Sequence, residues 1–434
     1  METEISNKGY TISLKSLPPH FYENITRELT VKPIENPNYP SQEQAFPVYR
    51  VSKTKVYLPR FYGIEKYGQP KLNNLTSGTQ EITLEFHGTL RDIQQEAIDA
   101  TMKIYADQFS GVISLDTGLG KTVVALKLIS LLKTKTLIIV HAEFLLEQWK
   151  ARILQYLPDA RVGIIRQDRC EIENVDISVG MIQTIINRNY PKDFFKSYGF
   201  MTFDECHHLS AKSFSSVFYK VQTKYMLGLS ATPERKDGLS KVIYWFMGPQ
   251  IITVKRETGK PSIAFITNDI AGYTEEFNRL GKVNSPAMIT TLSKQKLRNE
   301  LIVNLTKKYL KQDRKILILS DRREHCEYIL TQLHGVSAGV YLGGMKTAER
   351  DITVNCSVII GTYQASGEGF DVPELDTLIL ATPKSDVEQA VGRILRQKNK
   401  NEPIVVDIID SFSIFKGQYY KRRKFYKTCD YKLI

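Results

Sequence analysis

Nine residues, Ser114-Leu115-Asp116-Thr117-Gly118-Leu119-Gly120-Lys121-Thr122, lie between an apolar run and a helical pattern. Holding a phosphate requires backbone N–H groups that converge on an anion. Glycines permit that close approach, and the start of a helix adds its dipole. In such a cradle the Lys121 ammonium reaches β- and γ-phosphates and the Thr122 hydroxyl ligates Mg²⁺. The general pattern has glycine where this chain has Leu115. Further on, Asp204-Glu205-Cys206-His207 follows an apolar run that ends at Phe203. Open parallel sheets place ligand groups at the C-terminal ends of their strands. There Asp204 would hold Mg²⁺ through water, and Glu205 would orient and polarise an attacking water. An Asp-Glu pair alone is common on surfaces; the phosphate loop upstream gives this one its weight. His207 and His208 adjoin on an extended chain and point to opposite faces, so they do not predict a shared metal.

Two further segments carry candidate chemistry. Ser230-Ala231-Thr232-Pro233 ends another apolar run. Its hydroxyls can link a catalytic carboxylate to neighbouring elements, or the segment is a plain strand-to-loop turn stopped by Pro233. In Gln389-Ala390-Val391-Gly392-Arg393-Ile394-Leu395-Arg396 the two arginines are three apart, which places them on one helix face. Paired guanidinium groups can stabilise charge that develops during phosphoryl transfer, an effect of roughly 10³–10⁵ in rate. The alternative is a solvated basic face.

The elements that must position these groups can be read from periodicity. From about residue 88, short β-rich apolar runs alternate with helical patterns: strands at 111–115, 136–140, 177–180, 200–203 and 225–229, helices at 123–132 and 143–157. A less regular stretch near 249–290 follows. The alternation then restarts with helices at 297–310, 325–333 and 387–395 and strands at 316–319, 358–361, 377–380 and 404–408. Repeated strand–helix alternation implies parallel sheet with right-handed crossovers, here as two α/β units in tandem. Residues 1–86 hold 8 of the 17 prolines. Proline disfavours long helices there, and 55–58 and 82–86 read as strands of a small accessory domain.

Composition sets the outer limits. The chain has 434 residues, 42% apolar and 24% charged, as expected for folded domains rather than disorder. Its apolar runs are far shorter than the ~18 residues a membrane span needs, and the start METEISNKGY does not read as a secretory signal. Five scattered cysteines predict neither a disulfide framework nor a zinc ribbon and suit a reducing, intracellular compartment. The net charge of +12 suits a polyanionic partner, or solubility alone. From Ser411 on, seven Lys or Arg stand against one Asp, with Tyr419, Tyr420, Phe425, Tyr426 and Tyr431 interleaved. That composition suits contact with phosphates and bases, or an amphipathic helix that docks its aromatics.

The ordered set SLDTGLGKT, DECHH, LSATP, GTYQASGEGFD and QAVGRILR resembles motifs I, II, III, V and VI of superfamily-two helicases. The resemblance is strongest to the XPB-type and UvsW-like branch, which often has an apolar residue at the place of Leu115. The segment 57–63, Tyr57-Leu58-Pro59-Arg60-Phe61-Tyr62-Gly63, resembles helicases of large DNA viruses, and Glu147-Gln148-Trp149-Lys150 resembles the motif Ia region. The resemblance implies an α/β fold of two tandem RecA-like parallel-sheet domains with a small N-terminal α+β accessory domain. The expected segments are 1–87, 88–250 (ATP-binding), 251–290 (inter-lobe), 291–415 and 416–434. It implies ATP and Mg²⁺ held by Thr117, Gly118, Gly120, Lys121 and Thr122, with Asp204 and Glu205 serving metal and water. Arg91 and Gln94 would contact adenine. Ser230 and Thr232 would couple hydrolysis to strand contact, and Thr362 would touch the nucleic-acid backbone. Gly367 and Asp371 would approach the nucleotide, and Gln389, Arg393 and Arg396 would complete the site around the γ-phosphate.

The implied activity is an ATP-dependent helicase or translocase, monomeric, acting on DNA rather than RNA and moving 3′→5′. An annealing or branched-DNA remodelling motor, an RNA helicase, and a binding module with an ATP-gated switch are the alternatives. One departure is Arg235-Lys236-Asp237, where the XPB branch carries Arg-Glu-Asp. Lys236 reverses a charge linked there to duplex opening.

Overall fold

The computed structural model describes the chain except residues 7, 35–43, 117, 192, 207–210, 222, 232–237, 256–259, 269–273, 280, 367–369, 371 and 398, and the side chains of 211, 214 and 347. The chain divides into two compact units, Met1–Arg256 and Glu257–Ile434.

The first unit is built on a parallel sheet. In chain order its strands are Ser110–Leu115, Thr136–Val140, Val162–Arg166, Ile177–Met181, Phe200–Phe203, Tyr225–Ser230 and Gln250–Val254. Across the sheet they run third, fourth, second, fifth, sixth, first, seventh, with Arg169–Cys170 added antiparallel at the outer edge. Successive residues of each strand feed opposite faces. Leu137 and Ile139 enter one apolar cluster, Ile138 and Val140 the other. Both faces are covered, which is why these strands read as unbroken apolar runs rather than alternating ones.

The second unit repeats the winding. Its strands are Ser262–Asn268, Ile316–Ser320, Ala338–Tyr341, Val358–Thr362, Thr377–Leu380, Ile404–Asp410 and Lys432–Leu433, and they run in the same order from third to seventh, all parallel. The stretch near 249–290, irregular by periodicity, therefore holds the last long strand of one sheet and the first of the other.

The N-terminal region forms a five-stranded sheet, Arg50–Val51, Lys55–Leu58, Gly9–Ser13, Thr3–Ser6 and Leu72–Asn73 in spatial order. An eleven-residue helix, Pro19–Leu29, forms despite the proline density, because Pro19 sits in its first turn, where no N–H partner is lost. The segment 57–63 fastens this sheet to the larger one. The buried Arg60 guanidinium donates to the carbonyls of Thr223 (2.6 Å) and Lys224 (3.0 Å), and Tyr62 meets Trp245 edge-on at 5.4 Å. Tyr10, Leu58 and Tyr62 share one apolar cluster with Met201, Phe203 and Phe246 of the larger sheet's side.

Residues 82–86 do not form a strand. Ile82 and Leu84 are buried and Phe86 stacks on Tyr156 at 5.5 Å, so the alternation is real. The backbone, however, pairs only through an isolated bridge at Glu81, because no neighbouring strand is available along its length.

The tail is a helix, Ser413–Thr428, whose faces divide its composition. Arg422 grips the fully buried Asp407 through Nε (2.8 Å) and Nη2 (2.7 Å), and the Tyr426 hydroxyl donates to the same carboxylate at 3.1 Å. Removing one partner of such a pair strands a buried charge, at a cost of about 3–5 kcal/mol. Arg422→Ala should therefore lower the urea midpoint of unfolding by a corresponding amount. Asp407→Asn with Arg422→Met should recover part of the loss. Equal stability of Arg422→Ala and the parent would refute the docking role.

Candidate functional site

The phosphate loop leaves a fully buried strand, Ser110–Leu115. Leu115 is 0% exposed and belongs to the apolar cluster, so the departure at this position falls on the strand and not on the loop. Gly118 (φ +84°) and Gly120 (φ +91°) adopt left-handed backbone that favours glycine, and helix Lys121–Leu132 starts immediately after. Space at Gly120 is as restrictive as its dihedrals: a Cβ there would lie 2.2 Å from Nε2 of Gln94.

Gln94 and Arg91 hold the loop from outside. The buried Gln94 amide donates to the Leu119 carbonyl (3.1 Å) and accepts from the Arg91 N–H (3.0 Å), and Arg91 Nη2 donates to the Gly118 carbonyl at 3.1 Å. Both residues thus sit against the phosphate loop itself, at the start of helix Asp92–Tyr105.

Lys121 and the acidic pair come together at the C-terminal edge of the sheet. Lys121 Nζ lies 3.0 Å from Oε1 of Glu205. Glu205 has φ +48°, a left-handed conformation that costs a non-glycine residue about 1–2 kcal/mol. The turn directs Glu205 toward the lysine while Cys206 returns to the core at 0% exposure. Asp204 continues the ladder, its N–H donating to the Ile139 carbonyl at 3.1 Å. Its carboxylate is buried and accepts a 2.8 Å hydrogen bond from Trp149 Nε1. Burial first, and the Glu205 charge second, push the Asp204 carboxyl up to about 6; the Lys121 ammonium and the Trp149 N–H oppose them. Ser230 closes the adjacent strand, fully buried and in register with Ser114.

Sequence reading gave Trp149 no role. The signal was present: a buried indole N–H needs a partner, and helix Glu143–Tyr156 leaves the strand next to Phe200–Phe203. Thr122 lies one residue after Lys121 on the same helix, half-buried. An Asp carboxylate and a Thr hydroxyl are hard oxygen donors of the kind Mg²⁺ takes, alongside waters and substrate phosphates. Among the described residues no cluster of three or more His, Cys, Asp or Glu could hold a metal by itself. The donor set therefore fits a metal that arrives with phosphate oxygens.

In the second unit, Thr362 ends its strand, and its hydroxyl accepts from the Ala365 N–H at 3.2 Å. Gln389 is exposed on the short helix Glu388–Val391, which tightens into a 3-10 turn, Gly392–Leu395. Three residues per turn keep Arg393 and Arg396 aligned. Both are buried, at 4% and 7%, so they do not form a solvated basic face. Arg393 Nη1 donates to the Phe370 carbonyl at 2.6 Å. Thr117, Thr232, Gly367, Asp371, His207, His208 and the triplet Arg235-Lys236-Asp237 lie outside the described residues.

A glycine-turned phosphate loop, a lysine and an acidic pair with its aspartate buried, on the strand ends of a parallel sheet, define a nucleoside-triphosphate hydrolase. Residues 87–235 match the family model for the type III restriction enzyme res subunit, and residues 295–398 match the helicase conserved C-terminal domain. The chain belongs to the superfamily-two helicases, with two tandem RecA-like lobes, and is an ATP-dependent, nucleic-acid-binding enzyme. It is 33% identical over 456 residues to an Acanthamoeba polyphaga mimivirus protein named "Putative ATP-dependent RNA helicase", which covers 100% of this chain and 86% of that one. An African swine fever virus protein of the same designation is 28% identical over 100% of this chain and 93% of its own length. A protein of Invertebrate iridescent virus 6 named "Putative helicase" is 31% identical over 80% and 82% of the two chains. The crystal structure of T4 UvsW aligns over 100% of this chain and 99% of that one at 18% identity, with a TM-score of 0.42. Among the described residues no helix is long and apolar enough to cross a membrane.

The Asp204 carboxyl gives a pH test. A ligand to Mg²⁺ must be ionised, so kcat/KM for ATP should fall as the pH drops through about 6. Trp149→Phe removes a donor that favours the charged form, so the acid limb should move to higher pH. An unmoved limb in Trp149→Phe would separate the indole from Asp204 ionisation. With Trp245→Phe as background, Trp149 is the remaining one of the chain's two tryptophans. Its fluorescence should titrate over the same range and lose that transition in Asp204→Asn.

Proposed function

We propose that the chain couples ATP hydrolysis to 3′→5′ movement along a DNA strand. The observation that supports the hydrolysis step is the convergence of Lys121, Asp204 and Glu205 at one edge of a sheet, with lysine and glutamate 3.0 Å apart. DNA and the 3′→5′ direction follow from the resemblance to the XPB-type and UvsW-like branch. Lys121 takes the β- and γ-phosphates in exchange for Glu205, and Glu205, released, orients the attacking water. Thr122 and Asp204 hold Mg²⁺, which when bound would screen the phosphate charge. Thr117, Gly118 and Gly120 shape the cradle. Arg91 and Gln94 read adenine from their place against the loop, so that occupancy of the base site tightens the loop carbonyls.

In the second unit the resemblance assigns Gln389, Arg393 and Arg396 to charge on the transferring phosphoryl group, and Gly367 and Asp371 to the nucleotide. Ser230, Thr232 and Thr362 relay the nucleotide state to the strand. Affinity for nucleic acid then differs between nucleotide states, and that difference drives movement. Of the expected segments, 1–87, 88–250 and 291–415 would serve as accessory, ATP-binding and second-lobe parts. The inter-lobe segment 251–290 instead holds most of strand Gln250–Val254 of the first sheet and strand Ser262–Asn268 of the second, and the tail 416–434 continues helix Ser413–Thr428. A second reading, movement on RNA, is favoured by the names that the mimivirus and African swine fever virus relatives carry.

Steady-state ATPase with single-stranded, duplex and forked DNA and with RNA separates the readings. DNA with a 3′ single-stranded tail should stimulate most. Stimulation by RNA alone transfers the reading to RNA, and none by any polymer overturns both. Lys121→Ala should weaken ATP binding and abolish turnover. Arg393→Ala should lower stimulated turnover by about 10³-fold or more while sparing ATP binding; parent-like turnover in Arg393→Ala would refute its role.

A further inference from the structure

Helix Ser413–Thr428 buries one face through Phe415, Arg422 and Tyr426 and exposes the other. On the exposed side Lys416, Tyr420, Arg423, Lys424 and Lys427 recur at the i, i+4, i+7, i+8, i+11 spacing of a single helical stripe. Tyr420, Arg423, Lys424, Lys427 and Thr428 form one open patch of the helix surface. From Lys416 to Lys427 the stripe is about 16 Å long at ~1.5 Å per residue.

Ordinary surface chemistry does not account for this face. A helix kept soluble by charge mixes both signs and gains from Glu–Lys pairs four apart. This one has no acidic residue in sixteen positions. Arg423 and Lys427 are a like-charge pair four apart, and Lys421–Lys424 and Lys424–Lys427 are pairs three apart, arrangements that repel. Lys416 stands in the first turn, the end where the helix dipole disfavours a cation. Among the described residues none of these cations has a carboxylate within ion-pair distance. Asp430, just beyond the helix, is taken by Lys260. The repulsion is nonetheless held in place, because the Arg422–Asp407 grip fixes the helix from below.

We infer that this stripe is a binding surface for the phosphate backbone of the nucleic acid on which the enzyme acts. It is a second contact, separate from the strand-touching residues proposed above, and it rests on the reading that the chain binds such a polymer. An anionic backbone relieves the cation–cation repulsion and releases its own counterions. Tyr420, at 52% exposure among the cations, offers one ring against a sugar or base.

The test removes four charges without touching the buried face. In the full chain, Lys416→Gln, Arg423→Gln, Lys424→Gln and Lys427→Gln are combined, and binding to a labelled 20-base-pair duplex and to a labelled single strand is followed by anisotropy from 50 to 200 mM salt. A control variant carries Lys296→Gln, Lys307→Gln, Lys308→Gln and Lys311→Gln, which removes four charges from the exposed face and C-terminal end of helix Lys296–Leu310 in this unit. The stripe variant should bind about 10–100-fold more weakly at low salt and lose roughly 3–4 from the slope of log K against log salt. Its ATPase without nucleic acid should equal that of the parent. Parent-like affinity and slope, or an equal loss in the control, would overturn the assignment, as would a loss confined to binding of anionic lipid vesicles. Failure of the parent itself to bind any polymer would instead sink the proposed function.

Discussion

A carboxylate at the end of an apolar strand loses its water and must be paired or protonated. Asp204 is that carboxylate, and much of the first unit is arranged around keeping it usable. The indole of Trp149 holds one oxygen, and Lys121 contributes charge from across the strand ends. The lysine is there because Gly118 and Gly120 let the loop turn sharply enough for a helix to begin at position 121. The left-handed turn at Glu205 then keeps the second carboxylate beside the lysine and out of the core. Each feature is modest alone. Together they leave a basic and an acidic group in contact until a phosphate competes for the base.

The two sheets share a strand order but differ at corresponding ends. In the first unit, the end of the first strand opens into the glycine loop. In the second, the first strand ends at Asn268 and the sixth at Asp410, and their side chains hydrogen-bond to each other. Arg298, on helix Lys296–Leu310, fills the space beside them with a bidentate grip on Asp410 (3.0 and 2.9 Å) and a further bond to the Ala381 carbonyl. All the charge there is internal and fully buried. A guanidinium closes the strand ends there, whereas the first unit turns into its glycine loop. One framework thus ends once in a glycine-turned loop and once in a sealed polar plug.

Much of this was legible from residues alone. Runs such as Thr136–Val140 and Ile316–Ser320 are apolar on both faces, which marks a parallel strand at the centre of a sheet, and glycines before a lysine mark a phosphate loop. Reading failed where burial and pairing separate. Residues 82–86 alternate as a strand does but lie along the core with hardly a ladder, because periodicity reports which side is wet and not which neighbour bonds. Arg393 and Arg396 read as a paired site, with a solvated basic face as the alternative; burial removes the alternative, and the carbonyl that Arg393 meets is not visible in a charge count. Trp149 reads only as part of the motif Ia-like segment; its bond to Asp204 is not foreseen there, because that partner is 55 positions away in the chain.

The N-terminal sheet has a distinct composition, yet its Tyr10, Leu58 and Tyr62 are part of the same oily interior as Phe203 and Phe246. A segment that shares its interior with the ATP-binding lobe does not melt separately from it. Evolution can repaint its outer surface to suit a new host or substrate, but deleting it would leave the motor with an open flank. The border drawn by proline content is therefore one of ancestry or chemistry, and cooperativity runs straight through it.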